Sequence, residues 1–173
     1  GFVYPAYDQL VSHASRMRNR SRGGYTVPLV VRMPYGGGIR ALEHHSESME
    51  AIFVHVPGLK VVIPSDPYDA KGLLTAAIRD PDPVIFCEPD RVYRAVRMEV
   101  PEESYVVPLG EAKVVREGSD LTLISWGAHV RTAKQAAERL AEEGAFNVEV
   151  IDVRTLSPFD IDTVAASVVK TGR

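Results

Sequence analysis

The stretch "LKVVIPSDPYDAKGLLTAAIRDPDPVIFCEP", residues 59–89, decides the fold of this chain. Its two ends are short apolar runs rich in β-branched residues, as is typical of strands buried on both faces. Between them, apolar residues recur at helical spacing, with Ser65 or Asp66 as the cap and Pro67 near the first helical position. A strand, a helix and a strand at this spacing predict a βαβ unit in a parallel sheet.

The residues before this unit extend the same pattern. Apolar residues at helical spacing over 7–17 predict one long amphipathic helix. The run "VPLVVRMP", residues 27–34, predicts another strand buried on both faces, and a glycine-rich loop follows it. A short helix is expected over 49–56, with Ser46 or Ser48 as its N-cap.

The second half of the chain begins a further α/β unit after a looser stretch rich in prolines, glycines and acids. The runs "LTLISWG" (121–127) and "VEVIDVR" (148–154) predict strands, and a helix is expected between them over about 129–143. A last helix follows "SPFDID". The predicted fold class is therefore α/β, with two units that each look incomplete.

Composition excludes several classes of protein. The 173 residues contain 20 Lys+Arg and 23 Asp+Glu, a net charge of -3, so no basic field is present to bind nucleic acid. No apolar run approaches the roughly 20 residues that a membrane span requires. We expect no nucleic-acid or membrane partner and a location in the cytoplasm or an equivalent matrix.

Two further features are the cysteine content and the first residues of the chain. The single cysteine, Cys87, excludes an internal disulfide and a multi-cysteine zinc site, and it is expected to be a small buried hydrophobe. The chain opens with "GFVYPAYDQL", without Met and already in a helical pattern. We therefore expect it to be a piece of a longer protein.

The polar stretch "RALEHHSESMEA", residues 40–51, leaves three interpretations open. A metal site is disfavoured because the adjacent His44 and His45 point in different directions on a helix or strand. A polar helix start explains the glutamates, which are favoured near the positive end of the helix dipole. His45 is a candidate acid/base group, because it follows a buried strand and a glycine loop, where ligands bind in open α/β sheets.

Nearly the whole chain resembles one family in unbroken order. The residues that carry the resemblance are "VRMPYGGGIRALEHHSESMEAIFVHVPGLKVVIPSDPYDAKGLLTAAIRDPDPVIFCEP", then Val92-Tyr93-Arg94, "EVPEE", "EGSDLTLISWG" and "VIDVRTLSPFDIDTVAASVVKTGR". These resemble the β subunit of thiamine-diphosphate-dependent 2-oxo acid dehydrogenases, the decarboxylating components of the branched-chain and pyruvate dehydrogenase complexes.

The resemblance implies a domain organisation. Residues 1–100 would be the later part of a pyrimidine-binding domain with a parallel sheet. Residues 101–119 would be an inter-domain connection, and 120–173 the first part of a transketolase-like C-terminal α/β domain.

The resemblance also implies site residues. His45 of the family's "HS" motif would be the catalytic histidine facing the cofactor's thiazolium, where an imidazole can exchange protons near neutral pH. Phe2 would stack on the aminopyrimidine, although a core aromatic is the alternative. A monovalent cation, K+ by this reading, would be bound by backbone oxygens at positions matching Leu29, Ala77, Asp80 and Asp82. Asp82 and Val30 depart from the family pattern there.

The implied activity is oxidative decarboxylation of a 2-oxo acid, with acyl transfer to lipoamide. In the family, an α subunit holds the diphosphate and Mg2+, an α2β2 heterotetramer forms, and a lipoyl acyltransferase core is the further partner. The compartment would be the cytoplasm, or the mitochondrial matrix in a eukaryote. The family's activating carboxylate would lie upstream of Gly1 and the acyltransferase-docking surface largely beyond Arg173, so we expect this polypeptide alone to be inactive.

Two alternatives stay open at this point. Branched-chain 2-oxo acids are the preferred substrates, because "RMPYGGGIRALEHHSES" looks closest to that branch, and pyruvate is the alternative. Apolar pockets discriminate single methylenes by only about 1–3 kcal/mol, so no single residue decides between them. A non-catalytic α/β interaction module is the alternative from another class.

Overall fold

The computed structural model describes residues 1–173 and contains five α-helices and seven strands. The α-helices are α1 Met17–Arg20, α2 Glu50–Val54, α3 Pro67–Arg79, α4 Ala128–Glu142 and α5 Ile161–Thr171. The strands are β1 Val30–Tyr35, β2 Lys60–Val62, β3 Val84–Pro89, β4 Lys113–Arg116, β5 Leu121–Ser125, β6 Val148–Asp152 and β7 Thr155–Ser157. The α/β class predicted from the sequence is confirmed. No helix combines the length and the apolar composition needed to cross a lipid bilayer.

The first sheet has the strand order β1-β3-β2-β7. Strand β3 pairs in parallel with β1 on one side and with β2 on the other, so the predicted βαβ unit is confirmed. Strand β7 adds an antiparallel edge next to β2. Because β3 is central and covered on both faces, four consecutive residues, Val84, Ile85, Phe86 and Cys87, are fully or almost fully buried.

Alternate residues of these strands supply two separate cores, as the two-residue period of a strand requires. On one face, Val61, Ile63, Ile85 and Cys87 pack with Phe53 of α2 and with the N-terminal helical segment. On the other face, Val62, Val84 and Phe86 pack with α3 through its buried apolar side chains Leu73 and Ala77. Cys87 is the buried hydrophobe that was expected, and burial raises the pKa of its thiol to about 12.

Helix α3 begins as its sequence predicts. The Asp66 carboxylate accepts a 2.7 Å hydrogen bond from the backbone N–H of Asp69, and Pro67 is the first helical residue. At Gly72, an added Cβ would lie 2.4 Å from Val107 Cγ2. Only glycine therefore lets the segment around Val107 pack directly on this helix.

The prediction of one long amphipathic helix over 7–17 is correct in that the segment is helical and wrong in that it is not one continuous helix. The segment is helical, but it consists of 3-10 turns at Tyr4–Ala6 and Ala14–Arg16, a π-helical stretch at Gln9–His13, and then α1. Ser15 Oγ donates to the Val11 carbonyl at 2.7 Å, a type of back-bond that bends helices. A Cβ added to Gly58 would lie 2.1 Å from the Ser15 carbonyl oxygen. The irregular turns therefore accompany a close approach between the backbones of Ser15 and Gly58.

Two other local predictions are also wrong. Strand β1 is not buried on both faces, because it pairs only with β3 and forms the edge of the sheet; Met33 and Tyr35 are buried while Arg32 is exposed. Neither Ser46 nor Ser48 caps α2, whose N-cap is Met49 without a side-chain hydrogen bond. The Ser46 hydroxyl instead donates to the Ala41 carbonyl at 2.5 Å and holds the preceding loop.

The second sheet has the strand order β4-β6-β5, with β5 parallel and β4 antiparallel to β6. Helix α4 packs on β6 through Ala137, beside Val148 and Val150. The predicted connection 101–119 contains β4, which is therefore part of this sheet. The domain boundaries at 100 and 120 stay a prediction.

A buried polar cluster, which we call the Arg154 cluster, joins the two sheets. Arg154 lies between β6 and β7 with a φ of +57°, and its guanidinium donates to the Asp69 carboxylate on α3 at 3.1 Å and to the Glu111 carbonyl at 3.0 Å. The Asp152 carboxylate accepts from the Arg154 backbone N–H at 3.0 Å and from the Ser65 hydroxyl. One cation with two buried carboxylates thus connects the start of α3 to the end of β6.

The Arg154 cluster makes stability depend on pH. Burial is the largest cause that raises the pKa of Asp152 to about 7, far above its ordinary 3.8, so the folded state binds a proton that the unfolded chain has released. An acid whose pKa is higher in the folded state stabilises the fold less as pH increases. This contribution to stability is lost between about pH 4 and pH 7.

We expect Asp152→Asn to remove this dependence. The difference in free energy of unfolding between the variant and the wild type, measured by urea denaturation, should shift in favour of the variant by on the order of 2 kcal/mol from pH 5 to pH 8. Glu142→Gln, at an exposed position of α4, is the matched control and should show a constant difference. A constant difference for Asp152→Asn as well would contradict the assignment.

Candidate active site

The candidate site lies where β1 and β3 end at the same edge of the first sheet. Parallel pairing places Tyr35 beside Pro89, and the backbone N–H of Asp90 continues the ladder with a 3.0 Å hydrogen bond to the Tyr35 carbonyl. Such an edge, beyond the carboxyl ends of parallel strands, is where α/β proteins bind ligands.

The loop that follows β1, residues 36–48, turns back over this edge. Gly38 has a φ of +105°, and an added Cβ would lie 2.3 Å from Cδ of Arg91. The backbone conformation therefore favours glycine at this position, and a larger residue would also displace the Arg91 side chain. The same loop carries His44, whose φ is +66°.

The loop and the strand ends enclose a cavity of about 280 Å3. Its walls are mostly apolar, with two imidazoles and one carboxylate. They comprise Gly1, Phe2, Val3, Met33, Pro34, Ile39, His44, His45, Met49 and Asp90. The structure thus brings together His45 and Phe2, which lie 43 residues apart in the sequence.

The aromatic rings stand at the mouth of this cavity. Phe2 is 71% exposed, and its ring centroid lies 5.1 Å from that of His45 in an edge-on arrangement with an interplanar angle of 85°. His44 lies 5.5 Å away, tilted. The alternative interpretation of Phe2 as a core aromatic is wrong, because the side chain is not buried.

His45 is held in one tautomer by the loop itself. Its Nδ1 lies 2.9 Å from the Glu43 carbonyl oxygen, which can only accept, so Nδ1 carries a proton and donates. Nε2 makes no hydrogen bond within the chain and is available to a ligand. A ring oriented in this way can accept or donate a proton at a single defined atom.

A buried polar pair lies beneath the loop. The Tyr35 hydroxyl donates to the Glu50 carboxylate, and burial followed by this hydrogen bond raises the pKa of Tyr35 to about 12. Trp126, from the loop between β5 and α4, packs against the same core. The core that underlies the site therefore receives side chains from both halves of the chain.

Asp90 is the site residue that sequence reasoning missed. It lies in the cavity with His45, and burial is the largest cause that raises the pKa of its carboxyl. A signal was present in the sequence, since Asp90 directly follows a strand that was correctly predicted as buried and parallel. The same argument that selected His45 applies to it.

The residues proposed for a cation lie elsewhere, at the opposite end of the strands. The Leu29 carbonyl accepts from the Val84 N–H at 2.8 Å, and the Ala77 carbonyl accepts from the Asp80 N–H at 3.2 Å. Each of these carbonyls has a second lone pair free for another partner.

The two carboxylates of this group are paired with basic side chains. Lys60 Nζ lies 2.5 Å from Asp80 Oδ2, and Arg18 Nε lies 2.6 Å from Asp82 Oδ1. No group of three or more His, Cys, Asp or Glu side chains is arranged to hold a metal ion. Any cation here would therefore depend on backbone oxygens.

Family models match both halves of the chain. The model described as "Transketolase, pyrimidine binding domain" matches residues 1–96, and the model described as "Transketolase, C-terminal domain" matches 110–173. Together they cover both sheets.

Curated relatives match the chain over its whole length. It is 60% identical over 173 residues to the pyruvate dehydrogenase E1 component subunit beta of Acholeplasma laidlawii. This match covers 100% of this chain and 53% of the relative. It is 50% identical over 172 residues to the 2-oxoisovalerate dehydrogenase subunit beta of Bacillus subtilis, covering 99% of this chain and 52% of the relative. The chain thus spans about half the length of the curated relatives it matches.

Solved structures show the same fold. A structure described as "Split gene transketolase, inactive beta4 tetramer" superposes with a TM-score of 0.67 at 24% identity, over 94% of this chain and 52% of the other. A transketolase from Pichia stipitis gives 0.62 at 14% identity, over 95% of this chain and 24% of the other.

The site loop supplies a prediction about Gly38. We expect Gly38→Ala to loosen residues 39–48, because alanine at this positive φ is strained by about 1–3 kcal/mol. Hydrogen exchange of the loop amides should become at least about tenfold faster. Gly37→Ala is the matched control, since Gly37 lacks a positive φ and its nearest neighbour would lie at 3.8 Å. Equal exchange in both variants would contradict the role given to Gly38.

Proposed function

This chain belongs to the transketolase family, in its pyrimidine-binding and C-terminal domains, and we propose on that premise that it is part of the β subunit of a thiamine-diphosphate-dependent 2-oxo acid dehydrogenase. The observation that carries the proposal is the cavity shared by His45 and Phe2 at the carboxyl edge of the first sheet. Two β subunits of 2-oxo acid dehydrogenases among the relatives, at 60% and 50% identity, support the same activity.

The cavity suits the aminopyrimidine of thiamine diphosphate. A flat heteroaromatic ring needs an apolar slot with an aromatic face at its entrance, and Met33, Met49 and the exposed Phe2 supply these. When bound, the cofactor supplies an electron sink for the loss of carbon dioxide from a 2-oxo acid.

The residues of this chain bind, orient and exchange protons. Phe2 would stack on the pyrimidine of a bound cofactor, and the apolar walls would exclude water, which strengthens electrostatic contacts inside. His45 presents Nε2 to the reacting groups, because Nδ1 is committed to the Glu43 carbonyl. At this atom His45 holds or releases a proton during decarboxylation and acyl transfer.

The remaining parts of the site belong to other polypeptides or to other parts of the same one. Under this proposal an α subunit holds the diphosphate and Mg2+, the two chains assemble as α2β2, and a lipoyl acyltransferase core receives the acyl group. The 173-residue chain by itself is inactive. The assembly works in the cytoplasm, or in the mitochondrial matrix in a eukaryote.

We propose pyruvate as the first substrate to test. The pyruvate dehydrogenase relative is 60% identical, against 50% for the 2-oxoisovalerate dehydrogenase relative. The branched-chain preference drawn from the motif around His45 stays a prediction, and the second relative keeps 2-oxoisovalerate as the second candidate.

The proposal predicts the effect of His45→Ala in the full-length β subunit co-expressed with its α partner. Turnover of the preferred 2-oxo acid, with thiamine diphosphate and Mg2+, should fall by about 10²–10⁴-fold while cofactor affinity is retained. Pyruvate and 2-oxoisovalerate are compared in the same assay, and the faster substrate identifies the complex.

The matched control for this experiment is His44→Asn, in which asparagine tolerates the positive φ of the neighbouring position. It should retain most of the turnover. Full activity in His45→Ala would instead support the interpretation of residues 40–51 as a polar helix start. Absence of both turnover and cofactor binding in the wild-type assembly would favour the non-catalytic interaction module.

We also propose a K+ site at the backbone oxygens of Leu29, Ala77, Asp80 and Asp82. Hard cations take oxygen ligands, and the Leu29 and Ala77 carbonyls, which each accept one backbone hydrogen bond, keep a second lone pair for an ion. The Mg2+ ion is assigned to the α subunit and not to this chain.

The K+ proposal predicts a specific salt effect on thermal stability. At equal ionic strength, KCl should raise the unfolding midpoint of the protein by about 1–3 °C over NaCl, because a bound ion stabilises only the folded state. Identical midpoints in the two salts would contradict the site.

A further inference from the structure

The side chains of Tyr35 and Glu50 join the two ends of the site loop, residues 36–48. Tyr35 is the last residue of β1 and Glu50 is the first residue of α2, so one lies just before the loop and the other shortly after it. The Tyr35 hydroxyl donates a hydrogen bond to the Glu50 carboxylate. The proposed mechanism does not use this buried pair, and its place at the base of the loop suggests a role for it.

The backbone closes the loop at the same place. The Gly36 N–H donates to the Glu47 carbonyl at 2.9 Å, which brings the first residue of the loop beside one of its last residues. The bond between Tyr35 and Glu50 adds a second cross-link next to the first. A cross-link between the ends of a loop restricts the conformations that are open to the residues between them.

The tip of the loop, which carries His45, has its own hydrogen bonds. The Ser46 hydroxyl donates to the Ala41 carbonyl at 2.5 Å. His45 is bonded twice, through its backbone N–H to the Leu42 carbonyl at 3.4 Å and through Nδ1 to the Glu43 carbonyl at 2.9 Å. Because all of these partners belong to the loop, the bonds fix the shape of the tip and not its position over the sheet.

The contacts that reach the loop from other segments are exposed to water. The Phe2 ring lies beside His45 but is 71% exposed, and the exposed Arg91 packs its stem at Gly38. The bond from Tyr35 differs from these contacts, because Tyr35 is 6% exposed and water does not compete for its hydroxyl. The base of the loop is therefore its best-protected attachment to the sheet.

The Glu50 carboxylate depends on the Tyr35 hydroxyl. One carboxylate oxygen accepts from Tyr35, whereas the other, Oε2, is buried and has no hydrogen-bond partner. Burial, followed by this hydrogen bond, raises the pKa of Tyr35 to about 12, so the hydroxyl keeps its proton at neutral pH and donates. Without the hydroxyl, the carboxylate would be left beneath the loop with no donor, which is more unfavourable than the loss of the bond alone.

We propose that Tyr35 and Glu50 are positioning residues, whose buried hydrogen bond clamps the ends of the site loop and so holds His45 at the cavity. The tip keeps its shape through its own bonds, and the clamp sets where the tip lies relative to the carboxyl ends of β1 and β3. This inference rests on the proposed function for its catalytic meaning, whereas the clamp itself can be tested without activity.

The first test measures hydrogen exchange in the full-length protein, by mass spectrometry of peptides that span residues 36–48. In Tyr35→Phe these amides should exchange at least about tenfold faster than in the wild type, because the base of the loop opens more often. Peptides from β3 are the internal reference and should keep their rates, which shows that the variant is folded.

The matched control for this test is Tyr7→Phe. The Tyr7 hydroxyl donates to the Ile52 carbonyl of α2 at 3.4 Å, and its ring packs against the same core. Its removal deletes a hydroxyl of the same kind that does not join the ends of the loop, so loop exchange should stay at the wild-type rate. The same rate in Tyr35→Phe as well would overturn the inference.

Two substitutions at Glu50 separate the hydrogen bond from the bulk of the side chain. Glutamine keeps an oxygen that can accept from Tyr35, so Glu50→Gln should leave loop exchange within about twofold of the wild type. Glu50→Leu removes the acceptor and should raise loop exchange as Tyr35→Phe does. Because both substitutions delete the same interaction, the double variant should exchange no faster than the faster single variant. Independent, multiplied effects would overturn the clamp.

A further test uses the active assembly and asks whether the clamp acts through His45. Tyr35 does not line the cavity. Tyr35→Phe should therefore lower kcat by about tenfold, while KM and the affinity for thiamine diphosphate stay close to the wild type. In the His45→Ala background the same substitution should have no further effect on kcat. An equal loss with and without the imidazole would overturn the positioning role.

The outcomes separate the inference from the proposed function. If loop exchange rises in Tyr35→Phe but the wild-type assembly turns over no 2-oxo acid, the clamp is supported and the proposed function fails. If His45→Ala loses turnover while Tyr35→Phe keeps the loop exchange and the kcat of the wild type, the clamp is overturned and the proposed function stands.

Discussion

The parallel pairing of β3 between β1 and β2 is the constraint on which the rest of the structure depends. Because β3 is hydrogen-bonded on both edges and covered on both faces, its residues from Val84 to Cys87 are buried, and both apolar cores form against it. The pairing also fixes where β3 and β1 end, and therefore where His45, Phe2 and Asp90 meet. A shift of one residue in register would turn each strand's apolar side chains to the other face.

The two halves of the chain are joined by interactions that no single segment could make alone. Strand β7 leaves the second half and pairs with β2, Trp126 packs against the core beneath the site, and the Arg154 cluster ties α3 to β6. The buried Arg154 guanidinium donates to the Asp69 carboxylate and to the carbonyls of Glu111 and Ala112, which offsets the cost of burying its charge. These bonds hold the segment after β6 against the start of α3.

The candidate site has largely apolar walls and few polar groups, and its chemistry follows from this composition. The Glu43 carbonyl commits one nitrogen of His45, so the other nitrogen is free for proton exchange. An exposed aromatic ring at the entrance and sulfur-containing side chains at the floor suit a flat heteroaromatic ligand. The opposite end of the strands differs, because Lys60 and Arg18 neutralise the acids there.

The sequence by itself determined the α/β class, the βαβ unit and a cap of α3 at Ser65 or Asp66, and through the family resemblance it predicted that His45 and Phe2 belong to one cofactor site. These follow from local periodicity, from capping chemistry and from motifs, which are properties of neighbouring residues. Only the tertiary structure decided that β1 is an edge strand, that the N-terminal helix is irregular against Gly58, that β7 joins the first sheet and that Asp90 lines the same cavity as His45. Each of these depends on contacts between residues distant in the chain, whose partners are set by the packing of the whole molecule and not by local pattern.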